Sequence, residues 1–292
     1  MRQDNLFNLA LYFGGFVAAM IIVIMFGILF KGSVLSIKNF GIHFFFGEKW
    51  NPPMEKFGLL PFAVGTILTS IFALSLSLPF AISLAVSLGI YCSRGIVSNI
   101  LSYLSDLLAG IPSVVYGFWG LFFLVPIVRN LEIKLGIMPF GVGIFTASII
   151  LAIMIIPYMS SMIVELIKMV PRELVEAGYS LGATSFDVVR KIVFPYIKSG
   201  VISGIILAFG RAFGETMAVT MVIGNVNSVP KSIFSPANTM ASIIANEFPE
   251  ASSGLYLSSI VYIGLWLFVI TFIVNLLGNL IIRKFRAGEN EF

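Results

Sequence analysis

Residues 171–225 read PRELVEAGYSLGATSFDVVRKIVFPYIKSGVISGIILAFGRAFGETMAVTMVIGN. A polar stretch passes here straight into an apolar one. The apolar part is long enough to cross a bilayer, which takes about 20 residues, yet it carries Arg211 and Glu215. In the polar part, Pro171 suits the first turn of a helix and Glu173 complements the positive end of the helix dipole. Leu174, Ala177 or Gly178, and Leu181 then fall on one helical face. Gly182 lets the chain turn, and Thr184-Ser185-Phe186-Asp187 offers a capping arrangement. The pattern predicts a second helix from Phe186 until Pro195 stops it.

The rest of the chain has the composition of a membrane protein. Of 292 residues, 58% are hydrophobic and only 11% charged, where soluble chains carry roughly 25% charged residues. Mean hydropathy is +1.01. The net charge of +4 is spread over several loops, without the basic cluster interleaved with aromatics that nucleic-acid binding needs. A single cysteine, Cys92, forbids an intrachain disulfide. The single histidine, His43, has no second His or Cys near it and reads as a surface or packing residue.

Six apolar segments have the length of a span, which predicts an all-α integral membrane protein with six transmembrane helices. They cover about Leu9–Phe30, Phe62–Tyr91 (with Pro79 inside), Leu107 onward through Gly110–Gly117, Gly141–Val164, Ile197–Asn225 and Leu255–Ile282. The first is too long for a signal peptide and lacks its cleavage site. Loops are expected at 31–61, around Arg129, Glu132 and Lys134, and at 226–254. Residues 92–106 read as an amphipathic helix on the membrane surface. The domains expected are residues 1–61, a first span with an external loop; 62–282, the core transmembrane domain; and 283–292, a basic tail. With the termini, 92–106 and 165–196 inside, ten basic residues lie inside and seven outside. The positive-inside rule therefore places both termini in the cytoplasm.

On a fifth span from about Ile197 to Asn225, Arg211 falls about 14 residues from either end, near mid-membrane. Glu215 follows at i+4 on the same face, so that the two can neutralise each other. Ionisable groups at that depth are costly and mark substrate or ion paths. A guanidinium is a planar fork matched to phosphate oxygens; Glu215 would orient it or accept from a protonated oxygen, and Thr216 would add a hydroxyl. Asn225 and Asn275 are further candidates. No Walker loop and no Ser/His/Asp set is present, so no enzymatic chemistry is expected of this chain.

Glu176-Ala177-Gly178, then Gly182, then Ile192, Phe194 and Pro195 at the matching spacing resemble the signature loop of ABC importer permease subunits. Gly178 and Phe194 depart from its usual Ala and Leu. The stretches Gly110-Ile111-Pro112-Ser113-Val114-Val115-Tyr116-Gly117 and Gly210-Arg211-Ala212-Phe213-Gly214-Glu215-Thr216-Met217-Ala218-Val219 resemble the hallmarks of the PstC-type permease subunit of phosphate-specific importers. The resemblance implies the type I ABC importer permease fold, with 62–282 as its domain. It also implies cytoplasmic coupling helices that dock on an ATPase subunit through Glu176, Ala177, Gly178, Gly182, Ile192 and Pro195. The partners implied are a PstA-type second permease subunit, two ATPase subunits and an external phosphate-binding protein. ATP would sit on the partner, with no cofactor or metal on this chain. Other cargoes (sulfate, molybdate, phosphonate) and an ATP-independent channel or proton-coupled carrier using Glu215 are the competing readings.

Overall fold

The computed structural model describes residues 2–91 and 95–289. The charges at Arg2, Arg94, Arg283, Lys284 and Arg286, and Cys92, lie outside the residues and side chains described. Among the described residues the chain is helical throughout, with only isolated bridges between extended segments.

The first span, α1 (Arg2–Phe40), is longer than expected: Lys31 and Lys38 sit on the helix and not in a loop. It continues because small polar residues hold it against the last helix, α13 (Gly254–Glu289). Ser36 Oγ lies 2.8 Å from Ser259 Oγ, and Ser258 Oγ donates to the Gly32 carbonyl at 2.8 Å. Small residues and hydroxyls of this kind let membrane helices approach and bond. The lysine side chains stay exposed.

After the short helix α2 (His43–Phe46) the chain enters α3 (Leu60–Val86), which ends in a π turn at Ser87–Tyr91. Pro79 lies inside α3 without ending it. The amphipathic segment is α4 (Ile96–Gly110), which ends four residues later than expected. Its serines Ser98 and Ser105 are buried while Val97, Tyr103 and Leu107 face outward.

The third span starts at Ser113, not near Leu107. Pro112 forces Ile111 into an extended conformation (φ −68°, ψ 128°) and breaks the helix there. The span consists of α5 (Ser113–Trp119), a π turn at Gly120–Leu124 and α6 (Val125–Lys134). Arg129, Glu132 and Lys134 are therefore helical. Glu132 is buried, accepting from the Gly141 N–H at 2.6 Å.

The fourth span is α7 (Ile144–Lys168), the most enclosed helix of the six and the main partner of α3. A connector follows with α8 (Arg172–Ser180) and α9 (Ser185–Val188), then α10 (Phe194–Phe213), α11 (Met217–Val222) and α12 (Met240–Glu247). Among the described residues, six stretches are long and apolar enough to cross a membrane.

On the side opposite α8 and α9, Glu247 ties three segments together. Its carboxylate accepts from Trp50 Nε1 at 2.6 Å, Tyr256 OH at 2.7 Å and Asn227 Nδ2 at 2.9 Å. Trp50 and Tyr256 are buried there with Phe57 and Phe62. Replacing Glu247 by Ala strands all three donors, at about 1–3 kcal/mol for each group left unsatisfied. Glu247→Ala is expected to lower the thermal unfolding temperature of the purified protein clearly; an unchanged transition would show that the hub contributes nothing.

Candidate functional site

The fifth span is not the unbroken helix expected over Ile197–Asn225. α10 stops at Phe213, residues 214–216 are not helical, and α11 restarts at Met217. The local sequence explains the stop. Gly214 closes α10, its N–H reaching the Gly210 carbonyl at 3.3 Å. Glu215 Oε1 then accepts from the Ala218 N–H at 3.4 Å, and Thr216 Oγ1 donates to the Gly214 carbonyl at 3.3 Å. Side chains that bond the nearby backbone compete with the helix ladder, and here they take over groups that the break sets free. Backbone of this kind survives at membrane depth only inside protein or along a water-filled path.

The break also separates Arg211 from Glu215. They do not form the i,i+4 ion pair expected on one helical face, whereas Lys168–Glu165 and Lys191–Asp187 do pair at i,i+3 and i,i+4. Glu215, half-buried, is turned toward the start of α11. Arg211, exposed in the last turn of α10, places its guanidinium carbon 5.6 Å from the centre of the Tyr158 ring. Tyr158 stands near the middle of α7. Arg211 thus lies level with the middle of α7, two residues before α10 ends.

Both sequence hallmarks meet at this level. α5 packs on α11 with Gly117 against Ala218, so closely that a Cβ on Gly117 would fall 3.0 Å from Ala218 Cα. Tyr116 donates its hydroxyl to the Leu108 carbonyl at 2.8 Å, bridging the break at Pro112. The interrupted fifth span thus lies beside the start of the third, just past the break at Pro112; broken helices are what transporters use to build binding sites near the membrane midplane.

Of the other candidates, Thr216 is half-buried beside the break. Asn225 is occupied, donating to the Thr220 carbonyl at 2.9 Å and accepting from Ser242 Oγ at 3.0 Å. Asn275 lies against Gly210 and donates to the Thr271 carbonyl at 2.9 Å. Tyr158 had no signal in the sequence, being one aromatic among many in an apolar helix.

The 165–196 connector forms a second site. Gly182 has the positive φ (81°) expected of a turn, and Thr184 caps α9 by accepting from the Asp187 N–H at 3.2 Å. The apolar face is resolved in favour of Ala177: Ala177 is exposed with Leu174 and Leu181, whereas Gly178 is buried against Ile192 and Val188. Ile192 fills the space that a side chain at 178 would take.

Pro195 does not stop the second helix. A π turn at Val189–Val193 precedes it, with Phe194 N–H bonded to the Val189 carbonyl, so that α9 runs through into α10. The wider turn accommodates the residue that cannot donate. Glu176 is exposed and borders a cleft of about 640 Å³ together with Ile167, Arg172 and Tyr179. Leu181 is 89% and Phe186 63% exposed at the tip.

Residues 77–287 match the family described as the binding-protein-dependent transport system inner membrane component. The chain belongs to this family. It is a multi-pass, all-helical membrane protein with the fold of the type I importer permeases. The phosphate transport system permease protein PstC of Mesorhizobium japonicum is 40% identical over 92% of this chain and 88% of its own length. The protein of that name from Haemophilus influenzae is 39% identical over 89% of this chain and 87% of its own. A probable PstC of Methanocaldococcus jannaschii is 34% identical over 93% and 91%. A chain of the MetNI methionine ABC transporter in an inward-facing form shares the fold, with a TM-score of 0.58, 18% identity, and coverage of 81% of this chain and 99% of that one.

If Glu215 serves α11 and not Arg211, the side chain can be tested on stability alone. Glu215→Ala is expected to cost about 0.5–2 kcal/mol, the range for losing a helix cap, and Glu215→Gln, which keeps an acceptor, distinctly less. Equal losses in thermal unfolding of the two variants would contradict this role.

Proposed function

We propose that this chain is one permease subunit of an ATP-driven importer of inorganic phosphate, with Arg211 as the anion contact on the path. The observation that carries the reading is the position of Arg211 beside a helix break at mid-membrane, exposed and not neutralised by Glu215. An uncompensated arginine at that depth costs about 2.5–3.5 kcal/mol on insertion scales, a cost that a passing anion offsets. The planar guanidinium can bind two phosphate oxygens at once. Thr216 would add a hydroxyl contact, and Glu215 would keep the break in shape. The PstC names of the relatives support phosphate as the cargo.

The remaining parts follow the same reading. A second permease subunit of the PstA type would close the path on the open side of Arg211. Two separate ATPase subunits would dock on α8 and α9 through Glu176, Ala177 and the exposed Leu181 and Phe186, by helix-in-groove contacts. ATP would bind there and not on this chain. An external phosphate-binding protein would deliver the anion to the opposite side, leaving both termini in the cytoplasm. Because α9 continues into α10, a push on the coupling helices would be transmitted along one rod to Arg211, and rocking of the spans would expose it alternately to each side.

Two variants test the two ends of this rod. Arg211→Ala is expected to reduce phosphate uptake about a hundredfold or more, the scale of losing a charge-assisted bidentate contact, with the complex still assembled. Normal uptake would remove Arg211 from the path. Competition by sulfate, molybdate and phosphonate in the wild-type assay decides the cargo. Glu176→Lys is expected to abolish co-purification of the ATPase subunit; retention of the ATPase would contradict the docking assignment.

A further inference from the structure

Among the described residues, the guanidinium of Arg211 has one ring contact and no ion pair: it lies over the ring of Tyr158, at 5.6 Å from the ring centre and within cation–π range. Tyr158 follows Pro157 on α7 and is 38% exposed, on the side open to Arg211. Its hydroxyl makes no hydrogen bond among the described residues. α7 is the best-packed span, so the ring stands on a rigid support. Arg211, by contrast, ends a helix just before an interrupted segment.

We propose that Tyr158 is the positioning residue for Arg211: its ring holds the guanidinium in place at mid-membrane before the anion arrives. This rests on the reading of Arg211 as the anion contact. The two interactions use different parts of one group. A guanidinium stacks on an aromatic ring through its face and binds oxygens through the N–H groups of its edge. The anion therefore need not displace the ring. A long, flexible side chain that is already held loses less freedom on binding, and its charge stays where the next half of the cycle needs it.

The test compares Tyr158→Phe, Tyr158→Trp and Tyr158→Leu in the complete importer reconstituted in liposomes with saturating binding protein. Phosphate transport is measured per assembled complex, together with the phosphate moved per ATP hydrolysed. Tyr158→Leu keeps an apolar side chain but no ring; it is expected to slow transport about tenfold and to lower the phosphate-to-ATP ratio. Phe and Trp, which keep a ring, are expected to restore most of both.

The proposal is overturned if Leu transports like the wild type. It is overturned equally if Phe is as slow as Leu, which would place the role in the hydroxyl. A lowered unfolding temperature of the Leu complex that accounts for the loss would make Tyr158 a packing residue and overturn it as well. Arg211→Ala, run beside these, separates the two readings. If Arg211→Ala transports normally, the path assignment itself fails. If it is inactive while Tyr158→Leu is not, only the role of Tyr158 falls.

Discussion

Inside a bilayer every backbone N–H and C=O needs a partner, and water is absent to supply one. The helical ladder is broken at two places, at Pro112 just before the third span and at 214–216 in the fifth, and much of the architecture compensates for it. Tyr116 bridges the first break by bonding the Leu108 carbonyl. Glu215 and Thr216 bond the backbone around the second. Gly117 lets α5 and α11 approach closely enough to shield both. The enclosed pair α3 and α7 forms the rigid wall against which these interrupted helices pack.

The breaks matter because of the charge beside them. Had the fifth span been continuous, Arg211 and Glu215 would have faced each other at i,i+4 and neutralised one another. Interrupting the helix turns the carboxylate toward the start of α11 and leaves the guanidinium on an aromatic ring. That is a poor arrangement for holding a bundle together, since the charge has no partner of opposite sign to draw another element onto it. It is a good arrangement for a cation that has to meet an anion in transit. On the reading of Arg211 as the anion contact, the π turn at Val189–Val193 would serve the same path from the other end. By carrying the helix past Pro195, it joins the exposed Phe186 to Arg211 along one continuous helix.

Length and hydropathy were enough to read six spans, because burial in lipid demands long apolar runs. The spacing of Glu176, Gly182, Ile192 and Pro195 was enough to mark the connector. What stayed hidden depends on tertiary partners. The first helix runs on to Phe40 because Ser258 and Ser259, more than 200 residues away, receive Gly32 and Ser36. The stop at Phe213 depends on side chains bonding back to their own backbone, and hydropathy cannot register it. Pro195 misled because a proline reads as a helix end, whereas a π turn absorbs it. Tyr158 and Glu247 gain their roles only from what folds against them.

The most direct measurement of the central claim is phosphate-stimulated ATP hydrolysis by the reconstituted complex with its binding protein, wild type against Arg211→Ala. If Arg211 meets the anion on the path, the wild type hydrolyses ATP faster with loaded binding protein, and the variant loses this stimulation while keeping its basal rate and its subunits. If the variant is stimulated like the wild type and still delivers phosphate, Arg211 is not on the path, and the break at 214–216 serves the packing of the bundle alone.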